Sequence, residues 1–576
     1  MNIKKSALSL AIISSLLLTA CGGSGGGSDD STPIVVTNSA PTDITLDNMT
    51  VIENSLAASV GTLSAVDADN GDTFTYSITD DRFVVTGNSL TLADDVMLDF
   101  ETDTSIDLDV TVTDSSSNTF SKTLTLEVED VLDTYTFDSK FIDGESSVSY
   151  GGQIARHVLI AELNHYIGEQ LEDDLDNGDL LTRDAVLAKL DSFYRTTDVQ
   201  YDNFPITYIE NAKQGFLTDL ASSRDLNGKI AGNDNSALDQ HQDWNNGDFA
   251  GWNATGSTTP EGLIDIFFGQ LADNAEDHIN GIVRQSVTNE AITEVYLNTD
   301  GTDLKQLIQK FLLMAVAYSQ GTDDYLDNAN EGKGLNSDFS QDGSNAYSIL
   351  EHQFDEGYGY FGPSREYLAY SDNELSGEAG EDDRAEWNNN HDTDGDGELD
   401  LTSEVNFGNS VNAAKRDRGT VGNTAPTDFT QDVMEALIEG RRILNDNAGV
   451  ELSTEQFAAL LEQRDIVVDA WERSIAATVI HYINDTHADL DNLGTDEFNF
   501  EDAAKHFSEL KGFALGLQFN PFSSITTAQF EEIHTLIRTS PELDSTAVAA
   551  YQADLMTARG IIATALSFDA ENVENW

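Results

Sequence analysis

The chain has 576 residues, of which 103 are Asp or Glu and 29 are Lys or Arg, giving a formal charge of −74. A field of that sign repels phosphate backbones and excludes nucleic acid as a partner, whereas it suits solubility in salt and, where carboxylates cluster, the binding of calcium. At this length one core does not serve the whole chain, so several domains are expected.

Lys4 and Lys5 precede an apolar run from Ala7 to Leu18 that closes on Thr19-Ala20-Cys21. The run is too short to span a bilayer, and small residues stand before the cut that signal processing makes. The segment resembles the signal peptide of bacterial lipoproteins, which implies removal of residues 1–20, acylation of Cys21 and attachment to a membrane through the lipid. Gly22 after the cysteine favours the outer membrane by the same analogy. Cys21 is the sole cysteine, so no intramolecular disulfide can form. Residues 21–40 are rich in Gly, Ser and Asp and lack apolar periodicity. They read as a flexible tether with a reach on the order of 25 Å.

Across 41–133 short alternating runs, Asp43–Leu46, Thr73–Ile78, Ser105–Thr113 and Phe120–Val128, are separated by Asp, Asn and Gly, the pattern of an antiparallel β-sandwich. The fragments Ala40-Pro41-Thr42-Asp43-Ile44, Val51-Ile52-Glu53-Asn54, Gly61-Thr62-Leu63, Asp67-Ala68-Asp69, Leu98-Asp99-Phe100-Glu101 and Val112-Thr113-Asp114 resemble a bacterial cadherin-like domain, in family order. That resemblance implies calcium shared with a following domain through Glu53, Glu101 and Asp130. The usual exit motif is shortened here to Asp130-Val131-Leu132-Asp133, and no second repeat follows. Asp67 and Asp69 read as turn residues.

From residue 135 to 576 the apolar period becomes helical. Gln153–Leu171, Arg183–Tyr194, Leu304–Tyr318, Ser348–Tyr360, Thr430–Leu444, Thr454–Asp485, Phe500–Leu517, Ala528–Ile537 and Thr546–Leu566 carry apolar residues at helix spacing. Capping sequences such as Ser453-Thr454-Glu455-Gln456 recur. The fold class is therefore multidomain: an all-β sandwich followed by a large, mostly α, duplicated helical bundle. Two polar inserts, 327–345 and 371–419, interrupt the bundle, and loops of that length generally bind something or lack order.

The second insert carries Asp392-Thr393-Asp394-Gly395-Asp396-Gly397-Glu398-Leu399-Asp400, then Glu404. Oxygen donors at alternate positions with a glycine at the sharp turn match what calcium asks of a loop. The expected ligands are Asp392, Asp394, Asp396, Glu398 through its carbonyl, Asp400 and Glu404. Ser403 stands at the twelfth position, where a helix-loop-helix sensor has its bidentate carboxylate, so the loop is of the looser kind found in bacterial surface proteins.

A histidine followed three residues later by a carboxylate occurs twice, His352 with Asp355 and His506 with Glu509. Upstream of each lies an echo, Ala161–Ile167 against Ala477–Ile483, which indicates duplication. Residues i and i+3 share a helix face, so two antiparallel helices can bring all four side chains to one point, a borderline site for iron or zinc. Histidines hydrogen-bonded between helices are the plainer reading of the same pattern. Tyr358, Tyr360, Phe361, Tyr367 and Tyr370 follow the first motif and read as core, with Gly357 and Gly359 allowing close approach. The fragments Ser147–Arg156, Leu350–Gly362, Ala436–Arg441 and His506–Pro521 resemble an uncharacterised bacterial lipoprotein domain, over nearly all of 135–576, and that family is similar to imelysin-like envelope proteins. The likeness implies an envelope protein that binds a ligand or metal, with iron acquisition as one role. Calcium-dependent adhesion to a cell-surface partner through the sandwich is an alternative. A metallopeptidase is a third, with less support, because no His-Glu-x-x-His, Gly-x-Ser-x-Gly or phosphate-loop pattern occurs and no catalytic residue is assigned.

Overall fold

A computed structural model describes residues 38–576 apart from 54, 56, 94, 95, 99, 101, 102, 130, 132, 235–239, 381 and 382. The chain divides between residues 131 and 132 into two compact units. The first is built from eight strands, β1 (Asp43–Leu46), β2 (Thr50–Ile52), β3 (Ser59–Val66), β4 (Thr75–Ile78), β5 (Phe83–Thr86), β6 (Ser89–Leu92), β7 (Ser105–Thr113) and β8 (Thr119–Glu129). They form two four-stranded sheets, ordered β1-β3-β6-β5 and β2-β8-β7-β4. All pairs are antiparallel except β2 with β8.

Alternation fixes which face each strand buries. In β7, Ile106, Leu108, Val110 and Val112 point inward. Asp107 and Asp109 point outward and accept hydrogen bonds from Thr125 and Thr123 on β8. Ile44, Val60, Leu90 and Leu92 of one sheet join Val51, Leu108, Val110 and Leu126 of the other in one apolar core, as two sheets burying their inner faces must. β1 and β7 coincide with the alternating runs in the sequence, and β4 and β8 shift by two residues or fewer. β2, β5 and β6 have only three or four residues, too few to show a period. β3 is interrupted at Gly61, where the register slips.

The second unit is mostly helical, and a single large apolar cluster runs through it. Its spine is a helix of 38 residues, Thr454–Asp491, about 57 Å long at the usual rise. Ser453 starts it with a reciprocal cap to Gln456. The helices Gly408–Arg418, Phe429–Asp446, Phe500–Ala514 and Val548–Ala565 pack along it. Ile349–Phe361 begins with the same kind of cap, Ser348 with Glu351, and packs on Gly151–His165 and on 429–446.

Two expected helices are not uniform. The one beginning at Leu304 is α-helical to Leu312 and then widens into π turns over Leu313–Tyr318 and Gly321–Tyr325. The Gly151–His165 helix likewise passes into a π turn, Tyr166–Gln170. Among the described residues, two helices of more than ten residues were not anticipated. Pro260–Ile279 has its cap at Thr259 and a proline in its first turn, a start signal present in the sequence. Gly408–Arg418 lies within the stretch read as a polar insert. Its buried face is made of small and polar residues, Asn409, Ser410, Ala413 and Ala414 among them, so no large apolar period announces it.

Candidate metal centre

The acidic loop is held by its own backbone and by a distant segment. Asp392 accepts hydrogen bonds from the amides of Gly395, Asp396 and Gly397. Gly395 and Gly397 take φ of +73° and +91°, a left-handed backbone that glycine enters without steric cost. Glu404 is buried. One of its oxygens receives the Thr393 amide and hydroxyl at 2.7 and 2.9 Å, the other the Asp400 amide at 2.7 Å. It thereby reaches back into the loop from one position beyond the twelfth.

Asp392, Asp394 and Glu404 each present an oxygen within 4.8 Å of the others. A cluster of hard oxygen donors on a loop of this shape suits calcium rather than a softer metal.

Two of the other expected ligands, Asp396 and Asp400, are turned toward an ammonium. Residues Asn211 and Lys213 exchange backbone hydrogen bonds with Leu399, which carries the Lys213 side chain to the loop. Its Nζ stands 3.1 Å from Asp396, 3.9 Å from Asp400 and 4.0 Å from Asp394. The bond to Asp396 raises the Lys213 pKa. Hydrogen bonds from the Glu398 amide and from Lys213 lower that of Asp396. Asp400 also accepts from Gln214 and Thr402, and the Glu398 side chain is exposed. Nothing near the loop in sequence announces Lys213, which lies 183 residues before Asp396.

The four residues of the paired histidine motifs do not come together. Groups of three or more metal-type side chains among the described residues lie elsewhere, and none contains His352, Asp355, His506 or Glu509. The reason is that each is already engaged by other groups. Arg441, fully buried, donates its Nε to Asp355 at 2.7 Å and its Nη1 to Glu351 at 2.8 Å. Asp355 also receives the Tyr135 hydroxyl and the Ser149 amide, both at 2.9 Å. His352 bonds the Ser149 carbonyl and stacks on Tyr347. In the second motif, Glu509 lies 3.4 Å from Lys310, and His506 Nδ1 is 2.8 Å from Asp489. The expected transition-metal site is thus replaced by two separate polar nodes, one per motif.

Nearby, His481 is held to about 3 by burial and by the charge of Arg416. The tyrosines after the first motif are core residues, and a Cβ on Gly359 would stand 2.8 Å from the Tyr150 Cβ.

In the β unit, Glu53 is buried, and its carboxylate accepts the amides of Phe100 and Val131 at 2.6 and 2.7 Å. Glu101 and Asp130, like Cys21, lie outside the described residues. A second acidic group occurs in this unit, Asp67 with Asp72 and Asp114. Asp67 belongs to the stretch read from the sequence as a turn. Asp114 accepts the amides of Ser116 and Asn118, and Asn118 donates to the Asn38 side chain, which donates to Asp72.

Residues 133–375 match a family model described as a domain of unknown function (DUF4856). The matched stretch contains the first histidine motif but ends before the acidic loop and the second motif, and so is shorter than the expected likeness. No curated protein matches the chain. Among the described residues no helix is long and apolar enough to cross a membrane.

Proposed function

We propose that this chain is a cell-envelope binding protein, anchored by a lipid on Cys21, in which a cadherin-like sandwich precedes an imelysin-like helical unit stabilised by calcium. The observation that carries the reading is the acidic loop. Asp392, Asp394 and Glu404 converge, and Lys213 supplies positive charge to Asp394, Asp396 and Asp400. Carboxylates this close repel one another, so a divalent cation would relieve strain that one ammonium relieves only in part. Lys213 is 41 % exposed, so its ammonium has water beside it to take up when calcium displaces it from the carboxylates.

Calcium should raise the melting temperature, with a gain of about 2.7 kcal/mol at a concentration 100-fold above the dissociation constant. Asp394→Ala combined with Asp396→Ala should remove the response in calorimetric titration and in thermal melts. An equal calcium response in that double variant would overturn the assignment. Such a result would favour a second reading, calcium-dependent adhesion through the sandwich, which has its own support in the Asp67, Asp72 and Asp114 group.

A further inference from the structure

Opposite charges line one pocket of the helical unit without pairing to each other. The cavity, about 720 Å³, is lined by Arg156, Arg224, Lys229, Asp198, Asp225 and Glu356 among others. Arg156 is only 7 % exposed, yet its Nε and Nη1 donate to the carbonyls of Asp225 and Gly152. Arg224 donates to the carbonyls of Ser222 and Ser223 and to the Ser222 hydroxyl. Its guanidinium lies against the 151–165 helix at Gly152, where a Cβ would stand 2.8 Å from its Nε. Neither arginine makes an ion pair among the described residues.

The carboxylates are held apart in the same way. Asp198 accepts the Ser223 hydroxyl, Asp225 the Gly228 amide, and Glu356 the side-chain amides of Gln153 and Gln353. Lys229, by contrast, is neutralised by Asp234.

We propose that this pocket binds a small zwitterion, a free amino acid or short peptide, with its carboxylate on Arg156 and Arg224 and its ammonium on Glu356 and the neighbouring aspartates. Guanidinium forks match carboxylate geometry, and two without a counter-ion leave donors to offer. A plain anion would face three carboxylates and a molecule of charge −74, and a plain cation would face two guanidinium groups. A zwitterion satisfies both sets and carries no net charge for the overall field to repel. The volume lies within the range of about 300–1,000 Å³ usual for small-ligand sites. This deepens the reading of the helical unit as a binding module, while resting on none of the calcium ligands. All residues named for the pocket fall within the stretch 133–375 that the family model matches.

The test is calorimetric titration of the full chain with each common L-amino acid and with dialanine, beside inorganic phosphate and the N-acetyl and amide derivatives of any binder. At least one zwitterion should saturate the site, and both of its derivatives should bind at least about tenfold more weakly. Glu356→Gln and Arg224→Ala should each weaken binding by a similar factor, with a cooperative thermal melt without ligand showing that each variant is folded. Absence of saturation by every zwitterion, equal binding of an N-acetyl derivative, preferential binding of phosphate, or undiminished binding by both variants would overturn the proposal. The Asp394→Ala, Asp396→Ala variant should still bind the zwitterion, so a failure of the calcium assignment is read separately.

Discussion

Arg441 shows what a single side chain does in this fold. Its guanidinium is wholly buried and reaches Glu351, Asp355 and Ser147, while Asn445 adds a bond to Glu351. It thereby ties the 429–446 helix to the 349–361 helix and to the segment before Gly151. Removing one partner of a buried ion pair strands the other, so Arg441→Met should cost about 3–5 kcal/mol in urea unfolding. A loss below 1 kcal/mol, about the worth of a surface pair, would contradict this account. His506 supports a pH prediction. Burial works against its charge, but the hydrogen bond and charge of Asp489, with Asp485 and Glu509 near, raise its pKa above the ordinary 6.5. A histidine with a raised folded-state pKa stabilises below its unfolded value, and the contribution is lost as pH rises through the folded value. Asp489→Asn should therefore destabilise more at about pH 5 than at about pH 8. The difference should be about 1 kcal/mol or less, because both groups are partly exposed. Equal destabilisation at the two pH values would remove His506 as the cause.

Among the elements, the helix that begins at Leu304 departs from α geometry in the π turns after Leu312. A π turn holds an extra residue and shifts every later side chain around the axis. Tyr318 and Tyr325 end up buried on either side of Gly321. Gly321 faces the spine helix closely enough that a Cβ would lie 2.6 Å from the Trp471 ring. Gly321→Ala must therefore push the indole or the backbone aside, at about 1–3 kcal/mol, despite the higher helix propensity of alanine. A thermal melt equal to or above that of the parent would show that the turn yields without strain. The acidic loop, by comparison, reaches the apolar core only through Leu399 and Leu401 and is tied to the 211–214 segment by hydrogen bonds and by Lys213.

On the scale of the molecule, two separate apolar cores serve the two units. Leu108 is fully buried at the centre of the sandwich, and Leu108→Ala should cost that unit about 2–5 kcal/mol. Amide exchange should rise across residues 43–129 while the 151–165 and 454–491 helices keep their protection. Uniform loss of protection through both units would mean that they unfold as one. Within a chain of charge −74, cations meet some of the buried carboxylates, Arg441 at Glu351 and Asp355, Lys333 at Asp324, and Arg384 at Glu374, while others, Glu404 and Asp417 among them, are held by backbone amides.

What the amino-acid sequence determined by itself was local. The alternation in Ser105–Thr113, the helical period of Arg183–Tyr194 and the cap at Ser453 reappear in the structure, because period and capping act over a few residues and need no distant partner. The oxygen-rich loop was legible for the same reason. Tertiary structure alone decided who faces whom. It gave Asp355 to Arg441, 86 residues away, and put Lys213 between Asp394, Asp396 and Asp400. It also separated two histidine motifs whose spacing invites a shared metal, and laid Arg224 beside Arg156. Helix spacing states which side chains share a face, but the partner across that face is selected by packing of the whole core. A buried carboxylate goes to whichever donors that packing delivers, the Arg441 guanidinium for Asp355 and backbone amides for Glu404.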